Sequence, residues 1–389
     1  MTGTIVAVLI LAGIQFVIVV DETTVALLAP AVAREFGLGD IARQILITPF
    51  AVGFVAGLPT TALLLRRIDP RRVLPAATAA FAVTAGLGAL APSAPLLVGA
   101  RVLQGLAAAM VATSALASLH VITRSDPRRL RAFAAYSMVS GSGAVVALVA
   151  FAPLAQVSWR WCFVTIALAA LGLSVAWAAL GYRTGGAPEP TESPGVGQSR
   201  DADARAETVR TATMLAAVVG ANAALSAVVI TVSFVLQQDC GWTTTLTGLG
   251  FLPLNAAAAV ALVAVSPLAA RWGVGAVLAG GLLVIVVGCG LLAASPPTPL
   301  YLLGSTVVVG AGIGIVFPLV NSGSLASAQE QPLGRAAWLG AAQQLGVAAG
   351  ALVAAAHSGG AIGALAAVLG AAVVAGLVVL GRCGGVAAL

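Results

Sequence analysis

The sequence predicts an all-α integral membrane protein with twelve transmembrane helices in two six-helix bundles. Of its 389 residues, 60% are hydrophobic and only 8% are charged, whereas soluble domains carry roughly 25% charged residues. The hydrophobic residues stand in long unbroken runs, and one helical crossing of the bilayer takes about 20 such residues. A transmembrane β-barrel would instead show alternating segments of about ten residues.

The twelve predicted spans form two sets of six. The first set covers 4–33, 41–65, 72–92, 95–119, 130–155 and 159–181, and the second covers 212–237, 244–269, 274–294, 299–325, 334–356 and 359–381. The segment between the sets is rich in Pro, Gly, Ser and charge, a composition that cannot bury a core. The sequence therefore predicts an N-terminal bundle over 1–182, a cytoplasmic linker over 183–211 and a C-terminal bundle over 212–389.

The distribution of basic residues predicts the orientation of the chain. All 19 are arginine; with both termini in the cytoplasm, 15 lie in cytoplasmic loops, three in external loops and one, Arg101, inside a span. An excess of arginine in short cytoplasmic loops is the rule for such proteins. We therefore expect a multi-pass protein of the cytoplasmic membrane, and topology explains the net charge of +6 without a nucleic-acid partner.

Two adjacent acids, Asp21 and Glu22, interrupt the apolar run of the first span. An ionised group near the bilayer centre costs about 2.5–3.5 kcal/mol on insertion scales, and neighbouring carboxylates repel each other, so at least one should hold a proton near neutral pH. Such a group suits proton coupling or cation recognition. Because successive residues lie about 100° apart on a helix, Glu22 shares a stripe with Gln15, and Asp21 lies near Thr24. The alternative is a shorter span with both acids at the water interface.

Arg101 is the second charged group at membrane depth. An unpaired guanidinium in hydrocarbon is expensive, so we expect Arg101 to face a cavity or an acid. Gln104 lies on the same side of the helix, three residues on, and Gly105 with its neighbouring alanines predicts a closely packed helix partner. The alternative is that the apolar stem of the Arg101 side chain lies in the membrane while its guanidinium reaches the external surface.

Polar residues in the second half are candidates for the wall of a substrate cavity, although hydrogen bonding between helices would account for them equally well. They are Asn222, Asn255, Asn321, Trp338, Gln343 and Gln344. The candidates for the same cavity in the first half are Gln15, Thr24 and Gln104.

No motif for a cofactor or an enzymatic reaction occurs in the chain. The four cysteines have no CxxC spacing, and the sequence contains no phosphate-binding loop. We therefore expect no metal, no cofactor and no catalytic residues. The expected partners are a small-molecule substrate, protons and the lipid bilayer.

Several motifs resemble the major facilitator superfamily, and among its groups the drug:proton antiporters. Asp21, Thr24 and Pro30 are similar to the first-helix motif Leu-Asp-x-Thr followed by Asn-Val-Ala-Leu-Pro, with Glu22 as an addition. Arg101-Val102-Leu103-Gln104-Gly105 resembles the fourth-helix motif whose arginine is implicated in proton transfer. The turn 158–163 and the triplet 344–346 resemble sixth- and eleventh-helix signatures. The resemblance implies the major facilitator fold.

Two motifs depart from the family pattern. The resemblance implies a gating loop formed by Asp69, Arg71 and Arg72. Compared with the family motif Asp-Arg-x-Gly-Arg-Arg, the segment 67–72 keeps only the final pair of arginines and moves the acid to position 69. The fifth-helix antiporter motif Gly-Pro-x-x-Gly-Gly falls on 146–151, where its proline and glycines are absent.

The predicted function is export of a small, amphipathic or cationic molecule in exchange for protons, by alternating access to a cavity between the halves near the bilayer midplane. Asp21 or Glu22 would exchange the proton, Arg101 would bias its occupancy, and Gln104 would tune the site. The alternatives are a metabolite importer or uniporter of the same fold, or a membrane sensor or scaffold that transports nothing.

Overall fold

The described residues of the protein are helical throughout. The structure is a computed structural model that describes residues 2–38, 44–123, 129–180, 201–294, 298–326 and 332–356, and no strand occurs in these ranges. Helices are expected at membrane depth because they satisfy every backbone hydrogen bond within one segment.

The helices of the first half begin with α1. Their bounds are α1 Thr2–Phe36, α2 Thr48–Leu65, α3 Pro70–Ala89, α4 Ala94–Thr123, α5 Arg129–Gly141, α6 Gly143–Val146, a π-helical turn Ala147–Phe151, α7 Ala152–Val157 and α8 Trp159–Ala179. They group into a compact unit, which we call the first unit. In it, α1 packs against α4, α5, α6 and α8, and α4 packs against α2 and α3.

The helices of the second half follow. Their bounds are α9 Asp201–Phe234, a π-helical turn Val235–Asp239, α10 Thr244–Gly250, α11 Leu252–Trp272, α12 Val274–Ala294, α13 Pro299–Ala326 and α14 Pro332–Ala355. Apart from α10, they group into the second unit. In it, α9 packs against α12, α13 and α14, and α13 also packs against α11 and α12.

Eleven segments within the described ranges are long and apolar enough to cross a membrane. They correspond to the first eleven predicted spans, and the predicted span 359–381 lies outside the described residues. The first segment runs without a break over Thr4–Phe36, so the helix does not end at the two acids, and their depth in the bilayer stays a prediction. The helix ends at Gly37, whose φ of 61° is a conformation that glycine adopts readily.

Three predicted segments are built differently from the expectation of one helix per span. The fifth span is broken around Ser142, because Gly141 and Gly143 lower helix propensity there, and a π-helical turn follows. The eighth is interrupted at Phe251, with Pro253 in the first turn of α11, a position where proline is well tolerated. The predicted linker is shortened, since α9 begins at Asp201; acids in a first helical turn are stabilising.

Glycine permits a close helix crossing in each unit. A Cβ on Gly105 of α4 would lie 2.0 Å from the carbonyl oxygen of Phe50 in α2, and one on Gly310 of α13 would lie 2.3 Å from that of Leu254 in α11. The close packing expected at Gly105 is thus confirmed. Gly310 follows Gly105 by 205 residues, and the second and fourth spans of each set cross in the same way, as a parallel repeat of two halves requires.

Candidate functional site

The first unit contains a buried polar cluster made by α1 and α4. Asp21 is 0% exposed, Arg101 1% and Gln104 0%. Arg101 Nη1 donates to Asp21 Oδ2 at 2.8 Å and to Gln104 Oε1 at 2.8 Å, while Gln104 Nε2 donates to Asp21 Oδ1 at 3.1 Å. The three side chains close a triangle, which we call the Asp21 cluster. Its geometry excludes the alternative in which Arg101 extends to the surface.

Two further groups hold the guanidinium of Arg101 from the side of α2. Arg101 Nε donates to the carbonyl oxygen of Leu46 at 2.8 Å, and the guanidinium carbon lies 4.5 Å from the centre of the Phe50 ring. Leu46 lies in the turn before α2, where a carbonyl has not yet been taken by helical pairing. Sequence reasoning missed both groups: a carbonyl has no sequence signature, and Phe50 is an ordinary aromatic residue in an apolar span.

The electrostatics of the Asp21 cluster make it sensitive to any change of charge. Burying an ion pair removes water from both partners, and the pair is tolerated only when hydrogen bonds satisfy the remaining atoms. Each carboxylate oxygen of Asp21 accepts a hydrogen bond, and two nitrogens of Arg101, Nε and Nη1, donate hydrogen bonds. Removal of one partner from such a pair costs about 3–5 kcal/mol, because an uncompensated charge stays buried.

The remaining predicted residues of the first unit lie at or near α1. Thr24 is buried, and its hydroxyl has no hydrogen-bond partner in the structure. Glu22 is half-buried, next to Asp21 but on a different side of the helix. Gln15 Oε1 accepts a long hydrogen bond of 3.4 Å from the hydroxyl of Tyr136 in α5. No sequence signal singles out Tyr136, since its pairing with α1 depends on how α5 packs.

The predicted gating residues form a helix cap. Asp69 precedes α3, and its Oδ1 accepts from the backbone N–H of Arg71 at 2.8 Å while its Oδ2 lies 2.6 Å from Arg71 Nη2. Burial raises the pKa of Asp69, but hydrogen bonds from Arg71 and the charges of Arg71 and Arg72 outweigh that effect and hold the pKa below its usual value. The backbone carbonyl of Arg71 also accepts from Trp177 Nε1 of α8. A gating role for these residues stays a prediction.

Two of the predicted polar residues of the second unit form hydrogen bonds within their own helices. Asn222 Nδ2 donates to the carbonyl of Val218, and Asn255 Nδ2 to that of Phe251, each one turn back in its own helix. Their placement at the cavity wall stays a prediction.

The helix α14 carries the other predicted residues of the second unit. Gln344 is buried, Gln343 is half-buried and Trp338 is 69% exposed. Gly346 lies close to α9, where a Cβ would meet the carbonyl oxygen of Val219 at 2.4 Å. Helix packing thus accounts for the glycine of the triplet 344–346. The side chain of Asn321 lies outside the described part of the protein.

A further charged contact, which the sequence did not reveal, ties the end of α1 to the start of α8. Glu35 accepts from Trp159 Nε1 at 2.6 Å and from Arg160 Nη1 at 2.5 Å, and Arg160 Nη2 donates to the carbonyl of Ala91. Trp159 is only 3% exposed, whereas Trp161 is 54% exposed. Trp159 therefore serves as a packed hydrogen-bond donor inside the unit.

The family model of the Major Facilitator Superfamily, a family of membrane transporters, matches residues 11–364. The chain belongs to that family. The solved structure of the nucleoside transporter NupG has the same fold, with a TM-score of 0.72, 12% identity, and coverage of 97% of this chain and 99% of that one.

Two curated relatives are similar over part of the chain. The puromycin resistance protein Pur8 of Streptomyces alboniger is 35% identical over 158 residues, 40% of this chain and 31% of that protein. The multidrug efflux pump LfrA of Mycolicibacterium smegmatis is 32% identical over 155 residues, again 40% of this chain and 31% of the relative. The matched segments thus span about a third of the curated relatives.

Proposed function

We propose that the protein exports a small, amphipathic or cationic molecule across the cytoplasmic membrane in exchange for protons, by alternating access, with both termini in the cytoplasm. The observation that carries this proposal is the Asp21 cluster. A carboxylate, a guanidinium and an amide that satisfy one another at 0–1% exposure form a site whose stability depends on a single proton.

The physical link runs from protonation to conformation. A proton on Asp21 removes the negative charge that compensates Arg101, and an uncompensated buried charge costs several kcal/mol. A ligand shifts a conformational equilibrium by as much as its affinities for the two states differ. Protonation of Asp21 therefore favours a conformation in which Arg101 is stabilised by other groups, and this preference is what proton-driven alternating access requires.

The outward direction is supported by the relatives. A puromycin resistance protein and a multidrug efflux pump match this chain over 40% of its length. Two departures from the family motifs leave import or uniport as the competing modes of transport. They are the altered loop 67–72 and the absence of the proline and glycines at 146–151.

Flux measurements on the reconstituted full chain test the proposal. With ethidium as the probe, we expect a pH gradient to drive uptake into vesicles whose interior is acidic. Asp21→Asn and Arg101→Gln should each abolish this uptake, whereas ethidium counterflow without a gradient should persist in Asp21→Asn. The control Asp239→Asn removes an exposed acid at the end of a π-helical turn and should behave like the wild type.

The other outcomes separate the competing functions. Uptake driven by an acidic exterior would indicate import by symport, counterflow that ignores the gradient would indicate a uniporter, and ligand binding with no flux would indicate a sensor. Gradient-driven uptake that survives in Asp21→Asn would reject the coupling role of Asp21.

A further inference from the structure

The connection between α2 and α3 is short and strongly basic. One candidate membrane segment ends at Leu65 and the next begins at Pro70, so only the residues 66–69 separate them. A connection this short stays at the level of the lipid headgroups when both helices cross a bilayer. We call residues 66–72, which hold four arginines and one aspartate, the basic loop.

The single acid of the basic loop is occupied by a neighbouring arginine. Asp69 Oδ1 accepts from the backbone N–H of Arg71, and Asp69 Oδ2 lies 2.6 Å from Arg71 Nη2. The side chains of Arg71 and Asp69 are only 10% and 9% exposed, so the acid presents little negative charge to an approaching anion. The exposed surface of the basic loop instead carries the positive charges of Arg66, Arg67 and Arg72.

Position 67 reverses the charge that the family motif has there. The motif begins with an aspartate, and Arg67 stands at that position. An aspartate repels a phosphate group, whereas an arginine attracts it and can form two parallel hydrogen bonds with it. Arg66 directly precedes Arg67, so two guanidinium groups follow the end of α2. This departure from the motif favours an anionic partner for the basic loop.

The backbone of the basic loop is fixed at both ends. The carbonyl of Leu64 accepts from the N–H of Arg67 at 3.0 Å, which closes the last turn of α2. The carbonyl of Arg71 accepts from Trp177 Nε1 at 3.1 Å, and it is available because Pro75 of α3 has no N–H to donate. A loop that is ordered before binding loses little conformational entropy when it binds a ligand.

Exposed apolar side chains adjoin the basic loop. Leu63, three residues before Arg66 in α2, is 64% exposed, and Ile68 is 41% exposed. A small soluble anion covers neither side chain, whereas the acyl chains of a lipid remove such surface from water. The combination of exposed guanidinium groups and exposed apolar side chains therefore fits an amphipathic anion.

We propose that the basic loop binds the headgroup of an anionic phospholipid in the adjacent leaflet. Arg66, Arg67 and Arg72 attract the phosphate group, and Leu63 and Ile68 contact the upper part of the acyl chains. The predicted orientation places the basic loop on the cytoplasmic side, where the leaflet has a negative surface potential. This lipid contact involves neither the proposed proton site nor a transported molecule.

Thermal unfolding of the purified full chain in a neutral detergent at low salt tests this assignment. The probes are dioctanoyl-phosphatidylglycerol, which is anionic, and dioctanoyl-phosphatidylcholine, which has no net charge. A ligand that binds only the folded state raises the melting temperature as its concentration increases, so a titration gives an apparent affinity. Each arginine near an anionic lipid surface contributes about a factor of five. The double variant Arg66→Gln, Arg67→Gln should therefore lose at least about tenfold in phosphatidylglycerol affinity and keep its response to phosphatidylcholine.

Two control variants separate charge from position. The double variant Arg66→Lys, Arg67→Lys keeps both charges and should retain most of the phosphatidylglycerol affinity, because lysine also binds phosphate. Arg34→Gln removes an exposed arginine at the end of α1, before α2 begins, whereas the basic loop follows the end of α2. Arg34→Gln should respond to both lipids like the wild type.

Four results would overturn the assignment. Equal stabilisation of the wild type by the two lipids would do so, as would an unchanged phosphatidylglycerol affinity in the glutamine double variant. Inorganic phosphate that stabilises the wild type as strongly as phosphatidylglycerol would indicate a site for free phosphate. If the glutamine double variant does not fold, the wild type in about 1 M salt decides, because charges are then screened beyond about 3 Å. The preference for phosphatidylglycerol should disappear there, and a preference that persists contradicts the assignment.

Discussion

Arg101 is held by three kinds of group at once: a carboxylate, two neutral acceptors and an aromatic ring. Each of the hydrogen bonds to Asp21, Gln104 and the Leu46 carbonyl measures 2.8 Å. A planar guanidinium can make all of these contacts from one fixed geometry, whereas a lysine ammonium is a point charge on a flexible stem. At the scale of the residue, this accounts for an arginine at position 101.

Asp69 offers a single-residue prediction outside the membrane span. Because its pKa is held below the ordinary value of 3.8, its contribution to stability is fully present above that pH and is lost as the pH falls through the lower folded value. Asp69→Asn keeps an N-cap acceptor and removes the charge. It should lower the free energy of unfolding at pH 7 by about 0.5 kcal/mol.

Thermal unfolding in detergent at pH 7 and near pH 3 measures this effect. The difference between Asp69→Asn and the wild type should shrink at the lower pH, and a difference that is the same at both pH values would contradict the ion-pair account. Asp69→Ala, which also removes the cap, should cost about 1 kcal/mol more than Asp69→Asn at both pH values.

At the scale of the helical element, packing in each unit depends on glycine where helices cross. Gly105 of α4 and Gly53 of α2 face each other's backbones, and a Cβ added to either glycine would lie 2.0 Å from a carbonyl oxygen of the opposite helix. Such contacts are below the distances that real Cβ atoms show, so a larger side chain forces the helices apart. Small residues are the general means by which helices associate closely in lipid.

Gly105→Ala should therefore be strongly destabilising. Separation of α2 from α4 would also lengthen the hydrogen bond from Arg101 to the Leu46 carbonyl, and we expect a loss of about 1–3 kcal/mol. The matched control is Gly99→Ala, six residues earlier on α4, where an added Cβ meets nothing within 4 Å and alanine should stabilise by roughly 0.5–1 kcal/mol. Thermal unfolding of the two variants in detergent compares them, and equal melting temperatures would contradict the packing argument.

At the scale of the whole molecule, the two halves repeat their helix crossings but not their charges. The position 205 residues after Arg101 is Thr306, which is buried and whose hydroxyl donates to the carbonyl of Leu303 in its own helix. Among the described residues, buried charge occurs in the first unit alone. We therefore assign the proposed proton exchange to the N-terminal half of the repeat.

The proposed orientation is a prediction for the whole molecule. Two variants each add one cysteine for labelling. Ser193→Cys places it in the polar segment between the halves, and Ser93→Cys places it in the exposed turn between α3 and α4. The positive-inside rule predicts that a membrane-impermeant maleimide labels the first only in inside-out vesicles and the second only in right-side-out vesicles. The parent chain without either added cysteine is the control, and the reverse pattern would mean that both termini lie outside.

The sequence by itself determined the class of fold and the residues of the buried cluster. Long apolar runs leave a helix as the simplest way to satisfy the backbone in lipid, and charge at membrane depth is so costly that Asp21 and Arg101 stand out without any structure. Their neighbours Gln104 and Gly105 follow from helical periodicity, since residues three or four apart share a side of the helix.

Only the tertiary structure decided which groups meet across helices. The Leu46 carbonyl lies 55 residues from Arg101, Tyr136 lies 121 from Gln15, and Arg160 lies 125 from Glu35. The break at Ser142 and the π-helical turns likewise depend on how the segments pack. Hydropathy and periodicity describe one helix at a time, whereas these contacts arise from the packing of several helices against each other, which local sequence does not encode.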